Sequence, residues 1–389
     1  MINKSIFGKI ALVVVGALII PTFAVAQIKM GIILGFTGPI ESLTPDMGKS
    51  AELAFKEVSD SGQLLGGQKV SVVRGDSTCI DAAAASAAAE RLITSDRVAG
   101  IMGADCSGVT TAIANNVAVP NGVTMISPSA TSPALSTIAD NGYFFRTAPS
   151  DARQGQVLAE ITIERGFNNV AVTFINNDYG KGLSDSFINA YKGLGGKVSA
   201  VVPHEADKAD FSAEVATLDA SGADVLAVFG YVDQGGNHII QGSLDAGSFD
   251  KFILADGMYG ESLLKNMEGD LTGTFGTVPG TDSKGSETFK GMAQSAGITV
   301  GGPFTGESYD AAALLMLAMQ SAGSTDRAAI ASNVLAVANA PGVKIMPGEL
   351  RKGLIILAKG GAVDYVGASN VELVGGGEAS GSYQEFEVK

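Results

Sequence analysis

Short apolar segments alternate with helical segments from residue 27 onward, and this alternation limits the folds open to the chain. Residues 28–35 form an apolar run of strand length, and residues 47–59 place apolar side chains at helical spacing. The same pattern predicts strands at 68–74, 98–103 and 123–127 and helices at 81–93 and 109–117. Strands that alternate with helices build parallel sheets covered by helices on both faces. The first part of the chain is therefore predicted to be an α/β lobe.

A second series of the same kind begins near residue 150. It predicts helices at 151–165, 180–194, 211–221 and 235–246 and strands at 169–175, 198–203, 225–229 and 252–255. Because 389 residues are too many for one ordinary core, the repetition indicates two α/β lobes of similar build. Residues 270–285 are rich in Gly and Thr and are predicted to be a connection, 307–322 a long helix and 371–388 strand-like.

Residues 1–26 have the organisation of a secretory signal peptide. Lys4 and Lys9 precede an apolar run at 10–20, Pro21 ends the run, and Ala24-Val25-Ala26 is a small-x-small cleavage site. The alternative is a membrane anchor, but the run is short for a bilayer span. No cysteine lies near the cleavage point to carry a lipid. We therefore expect cleavage after Ala26 and export of a chain that begins at Gln27.

Export would allow the two cysteines to form a disulfide. Cys79 and Cys106 are even in number and would meet an oxidising compartment, so a disulfide between them is the first expectation. Two buried free thiols remain an alternative. A catalytic thiol is less favoured, because neither histidine is placed to activate one.

Composition and motifs exclude several functions. The net charge of −14 does not suit binding to a phosphate backbone, and two His with two Cys leave little material for a zinc site, so we expect no nucleic acid, metal or cofactor. MGKS at 47–50 lacks the earlier glycine that a P-loop requires. No G-x-S-x-G elbow occurs, and His204 is expected in an exposed loop and His238 on a helix. An enzyme is therefore the least favoured class.

Polar residues gather in loops at the predicted carboxyl ends of strands, where open parallel sheets bind ligands. These loops lie at 103–108, 127–131, 177–180, 230–233 and 256–257. They offer hydroxyls and amides for an anion, Asp256 for a cation, and tyrosines between them. Ordinary helix capping explains any single loop, but the set of five suits a zwitterion.

Six motifs give the chain a family resemblance. They are GFTGP at 35–39, DCS at 105–107, MISPSATSPAL at 125–135, FRT at 145–147, DYGKGL at 178–183 and DFS at 210–212. With them the chain resembles the periplasmic branched-chain amino-acid (Leu/Ile/Val)-binding proteins of ABC importers over essentially its whole mature length. The resemblance implies an α/β fold of two Rossmann-like lobes with parallel sheets joined by three crossovers, the type I periplasmic binding protein. It places 27–147 and 282–361 in lobe 1 and 148–281 and 362–389 in lobe 2, and it also implies the Cys79–Cys106 disulfide.

The resemblance also implies a set of ligand-binding residues. Ser107 and Thr131 would hold an α-carboxylate, and the Ser129 carbonyl and the Thr131 hydroxyl would accept from an α-ammonium, with Ala130 in the same loop. Asp256 stands where relatives have a glutamate that pairs with the ammonium. The tyrosines that would close over the ligand from the second lobe are Tyr179 and Tyr231.

Two positions depart from the family pattern. Leu43 replaces an aromatic ring, with Glu41 nearby, and Asp105 replaces an apolar residue. Because a carboxylate in an apolar pocket loses its hydration, Asp105 and Glu41 favour a polar or basic ligand over leucine. The alternative is that Asp105 turns away and caps the following helix.

The expected function is capture of an amino acid or close derivative between the lobes. The resemblance implies a monomeric periplasmic protein that delivers this ligand to an ABC permease and ATPase complex in the inner membrane. The second hypothesis is a periplasmic sensor for a small amine or carboxylate that signals without transport.

Overall fold

The computed structural model describes Met1 and residues 27–388, so the predicted signal peptide lies, apart from Met1, outside the described residues. Within this part the strands are β1 (Ile28–Leu34), β2 (Val70–Asp76), β3 (Ile101–Gly103), β4 (Met125–Ser127), β5 (Phe144–Arg146), β6 (Asn169–Ile175), β7 (Lys197–His204), β8 (Val225–Phe229), β9 (Phe252–Leu254), β10 (Phe275–Pro279), β11 (Val343–Ile345), β12 (Val363–Tyr365), β13 (Leu373–Val374), β14 (Glu378–Ala379) and β15 (Tyr383–Glu387).

The helices follow the strands as the alternation predicted. They are α1 (Thr44–Ser61), α2 (Ala82–Glu90), α3 (Ser107–Ile113), α4 (Asp151–Glu164), α5 (Asp178–Gly193), α6 (Ser212–Asp219), α7 (Gly236–Ala246), α8 (Glu261–Asn266), α9 (Lys284–Ser295), α10 (Thr305–Ala322), α11 (Arg327–Ala338) and α12 (Leu350–Ala358). Local capping explains where several begin: Asp81 accepts from the amides of Ala83 and Ala84 at the start of α2, and the Asn177 side chain accepts from the Gly180 amide at the start of α5.

The first lobe is built on a sheet of order β13-β14-β5-β4-β3-β1-β2. Strands β1 to β5 are parallel, with Ile28 opposite Val70 and Gly31 opposite Ile101. In β1 every residue except Lys29 is buried, because helices cover both faces of a parallel sheet. Helix α10 is buried through most of its length and packs against α1.

The second lobe is built on a sheet of order β15-β10-β9-β8-β6-β7. Its strands are parallel except β15, which runs antiparallel to β10. The central strand β8 is buried at all five positions. A small sheet of β11 and β12 completes the strand pairing of the described residues.

The chain passes between the two larger sheets at three places: after β5, after β10 and between β14 and β15. Two expectations need correction here. The segment 362–389 does not belong wholly to the second lobe, because β14 pairs with β5 and only β15 joins the second sheet. The segment 270–285 is not only a connection, because it contains β10. The strand was not predicted because it contains Gly276, and glycine is more typical of loops. The structure requires glycine there, since a Cβ built at Gly276 would lie 2.3 Å from the Leu254 carbonyl oxygen.

The predicted disulfide is present between Cys79 and Cys106, with their Cα atoms 5.1 Å apart. It joins the loops that follow β2 and β3, the two strands on either side of β1. A crosslink at this point holds the carboxyl edge of the first sheet together. Among the described residues, no helix combines the length and the apolar content needed to cross a membrane.

The expectation for His204 is wrong. The ring is buried at the end of β7, and its Nδ1 lies 2.8 Å from the Thr173 hydroxyl. Burial lowers the pKa of His204 to about 4, so the ring is neutral near pH 7. Strand β7 extends one residue past the predicted strand end at Pro203, and this brings the ring into the core.

Candidate functional site

The carboxyl ends of the strands in both sheets face each other across the cleft between the lobes. They enclose a cavity of about 30 Å³. Its walls combine hydroxyl, carboxyl, tyrosine and aliphatic side chains, and the lining residues are Ile40, Leu43, Met47, Asp105, Cys106, Ser107, Ser129, Tyr179, Tyr231, Asp256, Gly257 and Phe304.

The lobes are in contact around this cavity. The Ser42 amide donates to Asp233 Oδ2 at 2.8 Å, the Asp233 amide donates to the Pro39 carbonyl at 3.1 Å, and the Ser42 and Ser262 hydroxyls lie 3.0 Å apart. These contacts close the cleft around the cavity, whose volume is well below the roughly 300–1000 Å³ of usual ligand pockets.

The first lobe contributes hydroxyls from two loops. Ser107 and Ser129 line the cavity, and the Ser107 hydroxyl accepts from the Ser132 amide at 3.1 Å. Ala130 and Thr131 are buried just behind the cavity wall and do not line it. No described residue forms a hydrogen bond with the Thr131 hydroxyl.

Asp256 is the main polar group of the second lobe. It is 2% exposed, and Oδ1 accepts from the Tyr179 hydroxyl at 3.0 Å. No described residue donates to its Oδ2. Burial raises the pKa of Asp256 to about 6, and the tyrosine bond opposes part of this rise. Tyr179 stacks on Tyr231 with the ring centres 5.3 Å apart, so the buried Asp256 carboxyl, which belongs to the cavity wall, lies beside two stacked aromatic rings.

Asp105 lines the cavity, but its oxygens are occupied. Oδ2 accepts from the Gly35 amide at 2.6 Å, and Oδ1 accepts from the Ser77 hydroxyl at 3.0 Å and the Cys106 amide at 2.9 Å. Burial raises its pKa and these donors oppose the rise. The carboxyl ties together the ends of β1, β2 and β3.

The structure therefore removes the basis for the interpretation that Asp105 and Glu41 together select a polar or basic ligand. Glu41 is exposed and does not line the cavity, so the two carboxylates do not act on one ligand side chain. The alternative that Asp105 turns away from the ligand agrees better with its three protein donors, although these donors come from strand ends as well as from the start of α3.

An aliphatic wall lies on the side of the cavity formed by the first lobe. Leu43 belongs to this wall, as expected. Its side chain also packs close to Gly260 of the second lobe: a Cβ built at Gly260 would lie only 2.9 Å from Leu43 Cδ2. Sequence reasoning missed Ile40 and Met47, which stand three residues before and four residues after Leu43. That helical spacing was the signal that could have found them.

Phe304 was missed for a different reason. It follows Gly301-Gly302-Pro303 and has a φ of 57°, in the left-handed region that few bulky residues adopt. The unusual backbone places a ring from the end of a glycine-rich turn against the cavity. The sequence shows the turn but not the direction of the ring.

Comparison with known proteins places the chain in a family. Residues 27–351 match the family model described as periplasmic binding protein. A Leu/Ile/Val-binding protein homolog of Brucella abortus (strain 2308) is 30% identical over 332 residues, which cover 83% of this chain and 86% of that protein. The chain belongs to the periplasmic binding protein family. Within that family of solute-binding proteins it is of the branched-chain amino-acid, Leu/Ile/Val-binding type.

Solved structures show the same fold. A leucine binding protein, LivK, from Thermotoga maritima is 24% identical and superposes with a TM-score of 0.79, covering 93% of this chain and 95% of that one. The substrate-binding protein LivJ from Streptococcus pneumoniae, solved in complex with isoleucine, is 21% identical with a TM-score of 0.76, covering 93% and 96%. The two-lobed architecture is thus the type I periplasmic binding protein fold.

Proposed function

We propose that this protein captures an aliphatic α-amino acid between its lobes and delivers it to an ABC permease and ATPase complex. The observation that carries this proposal is Asp256, a buried carboxyl with one oxygen that has no donor among the described residues. A buried carboxylate needs a partner, and a ligand ammonium supplies both the charge and the hydrogen bond. Periplasmic location, cleavage after Ala26 and action as a monomer belong to the same proposal.

The rest of the cavity suits the other parts of such a ligand. Ser107 and Ser129 provide hydroxyls for the α-carboxylate at the cavity wall, and Thr131, buried behind that wall, has a hydroxyl with no hydrogen bond to any described residue. The backbone around Ala130 belongs to the same binding loop. Tyr179 and Tyr231 close over the ligand from the second lobe. The side chain packs on the wall of Ile40, Leu43, Met47 and Phe304, which favours an aliphatic side chain over a charged one.

Calorimetry tests the ligand assignment. L-leucine, L-isoleucine and L-alanine should bind, whereas benzoate, which has a carboxylate and no amine, should not. Asp256→Asn should weaken amino-acid binding about a hundredfold, because the ligand ammonium then lacks its counter-charge. Tight binding of benzoate, or leucine affinity unchanged in Asp256→Asn, would contradict the proposal.

Transport is a separate test. Cells that lack this chain should lose high-affinity uptake of the radiolabelled amino acid that binds in calorimetry, and re-expression should restore it. Restoration by Asp256→Asn as fully as by the wild-type chain would show that capture at Asp256 is not part of uptake.

A further inference from the structure

The arginine of the FRT motif at 145–147 has a place in the fold that the proposed function does not use. Arg146 is the last residue of β5, directly before the first crossover between the lobes. Its side chain is only 1% exposed. A buried guanidinium is stable only where the protein supplies acceptors for its N–H groups. The identity of those acceptors therefore indicates what Arg146 holds.

Two of the acceptors are carbonyls of the binding loop, residues 129–132. Nη1 of Arg146 donates to the Ala130 carbonyl at 3.0 Å and to the Ser132 carbonyl at 2.9 Å. These carbonyls stand on either side of Thr131, whose own carbonyl accepts from the Asp151 amide at 2.9 Å. Three consecutive carbonyls of the loop are thus held by residues that flank the first crossover.

The loop carries this constraint to the cavity wall. The Ser132 amide donates to the Ser107 hydroxyl at 3.1 Å, and the Ser129 hydroxyl donates to the Asp105 carbonyl at 3.2 Å. Ser107 and Ser129 both line the cavity, whereas Arg146 lies outside its wall. Because Arg146 fixes the backbone from which these bonds extend, it acts on the two hydroxyls through the loop.

The other terminal nitrogen of Arg146 reaches a second crossover. Nη2 donates to the Ser136 hydroxyl at 2.8 Å and to Glu378 Oε2 at 2.5 Å, and the Ser136 hydroxyl donates to the same carboxylate oxygen. Glu378 belongs to β14, just before the chain crosses to β15 in the second lobe. One side chain therefore joins the binding loop to the strands that lead into two of the three crossovers.

We propose that Arg146 is a positioning residue that holds the binding loop in its ligand-ready geometry before a ligand arrives. The inference rests on the proposed function, since it needs a ligand at Ser107 and Ser129. All the bonds of Arg146 come from the protein, so the loop needs no ligand to be fixed. Without them the loop samples other positions, and affinity falls with the fraction of molecules that keep the competent geometry. A purely structural arginine would change the free energy of unfolding and leave the affinity of the folded protein unchanged.

Calorimetry on two matched variants separates these roles. Arg146→Lys keeps the positive charge but has all its donors on one nitrogen, so it cannot reach the loop and Glu378 together. Arg327→Lys is the control, because Arg327 Nη2 donates to the carbonyls of Ile93 and Val98, which lie before β3 at the edge of the first sheet away from the cleft.

Each protein is titrated with L-leucine, L-isoleucine and L-alanine under conditions in which urea curves show it to be folded. Arg146→Lys should bind about tenfold or more weakly than wild type, and Arg327→Lys should match wild type within about twofold even if both are less stable. Wild-type affinity in Arg146→Lys would overturn the proposal, and so would an equal loss in both variants.

Hydrogen exchange of the wild-type chain keeps the test independent of the folding of a variant. The amides of Ala130 and Ser132 donate to the hydroxyls of Ser127 and Ser107. Without ligand these amides should already exchange slowly, and ligand should add little protection. In Arg146→Lys they should exchange about tenfold faster, and in Arg327→Lys at the wild-type rate. Exchange at the rate of an unstructured peptide in the ligand-free wild type, with protection only after ligand is added, would overturn the proposal.

A third variant distinguishes the loop from the ion pair. Glu378→Gln keeps an oxygen that accepts from Arg146 and Ser136 but removes the charge, so its affinity should stay within about twofold of wild type. A loss as large as that of Arg146→Lys would overturn the assignment to the loop. If none of the three amino acids binds to the wild type, the proposed function fails, and the exchange rates still decide whether Arg146 holds the loop.

Discussion

Asp256→Asn should stabilise the unliganded protein above pH 6 while it weakens ligand binding about a hundredfold. Burial raises the pKa of Asp256 from 3.8 to about 6, so the folded protein holds this proton more strongly than the unfolded chain does. The stability that this proton provides is fully present below pH 3.8 and is lost as the pH rises through about 6. Since one pKa unit corresponds to about 1.4 kcal/mol, ionised Asp256 costs the folded protein about 3 kcal/mol at neutral pH.

The assay is urea unfolding followed by circular dichroism, without ligand, at pH 4 and pH 7.5. Asn keeps an oxygen to accept from Tyr179, and it carries no charge. The variant should therefore be more stable than wild type by about 2–3 kcal/mol at pH 7.5 and nearly equal to it at pH 4. Asp233→Asn is the matched control, because it removes a carboxylate outside the cavity wall, and it should show no such gain.

Two results would refute this reasoning. If Asp256→Asn is less stable than wild type at pH 7.5, the carboxylate is held by favourable interactions and is not available for a ligand. If the gain is equal at both pH values, it comes from packing and not from charge. The expected result would mean that the site is kept at a cost in stability because the ligand ammonium compensates for it.

Three further predictions follow from single contacts. Replacing Cys79 and Cys106 together by serine should lower the free energy of unfolding by about 3 kcal/mol, measured against the oxidised wild type, because the bond closes a loop between residues 27 apart in sequence. Asp105→Asn should cost about 2–3 kcal/mol of stability and leave the preference among amino acids unchanged in calorimetry, because the new amide group cannot accept from the donors that the carboxylate satisfies. Gly260→Ala should weaken amino-acid binding severalfold with little change in the urea midpoint, because the new Cβ would lie 2.9 Å from Leu43 Cδ2 across the closed cleft; unchanged affinity would show that the lobes close less tightly on a ligand.

The sequence predicted the alternation and the cleft loops because these depend on local patterns. Strands such as β8 are continuous apolar runs, and Asp81 and Asn177 stand where helices begin. Strand β10 was not predicted from the sequence. Its backbone approaches β9 so closely that one position requires a residue with no Cβ, and a glycine in a single sequence indicates a loop.

The sequence predicted where the candidate site lies, but not which of its buried carboxyls receive hydrogen bonds from the protein. Asp151 stands one residue into a helix, where an acidic residue is ordinary, and Ser150 in fact caps that helix through a bond to the Ala152 amide. Only the three-dimensional structure shows that the Asp151 carboxyl is buried and accepts no hydrogen bond from any described residue. A sequence cannot show this, because the missing partners would come from elements far apart in the chain.

The contrast between Asp105 and Asp256 shows what decides the role of a buried carboxyl in this cleft. Both follow a strand, both line the same cavity and both are almost fully buried. Asp105 accepts three hydrogen bonds from the protein, so its negative charge is already compensated and it holds strand ends together. Asp256 accepts from Tyr179 and keeps one oxygen without a donor from the described residues, so its charge needs a partner from outside the chain. The number of donors that the fold supplies, and not the position of a carboxyl in the cleft, therefore separates the structural residue from the ligand-binding one.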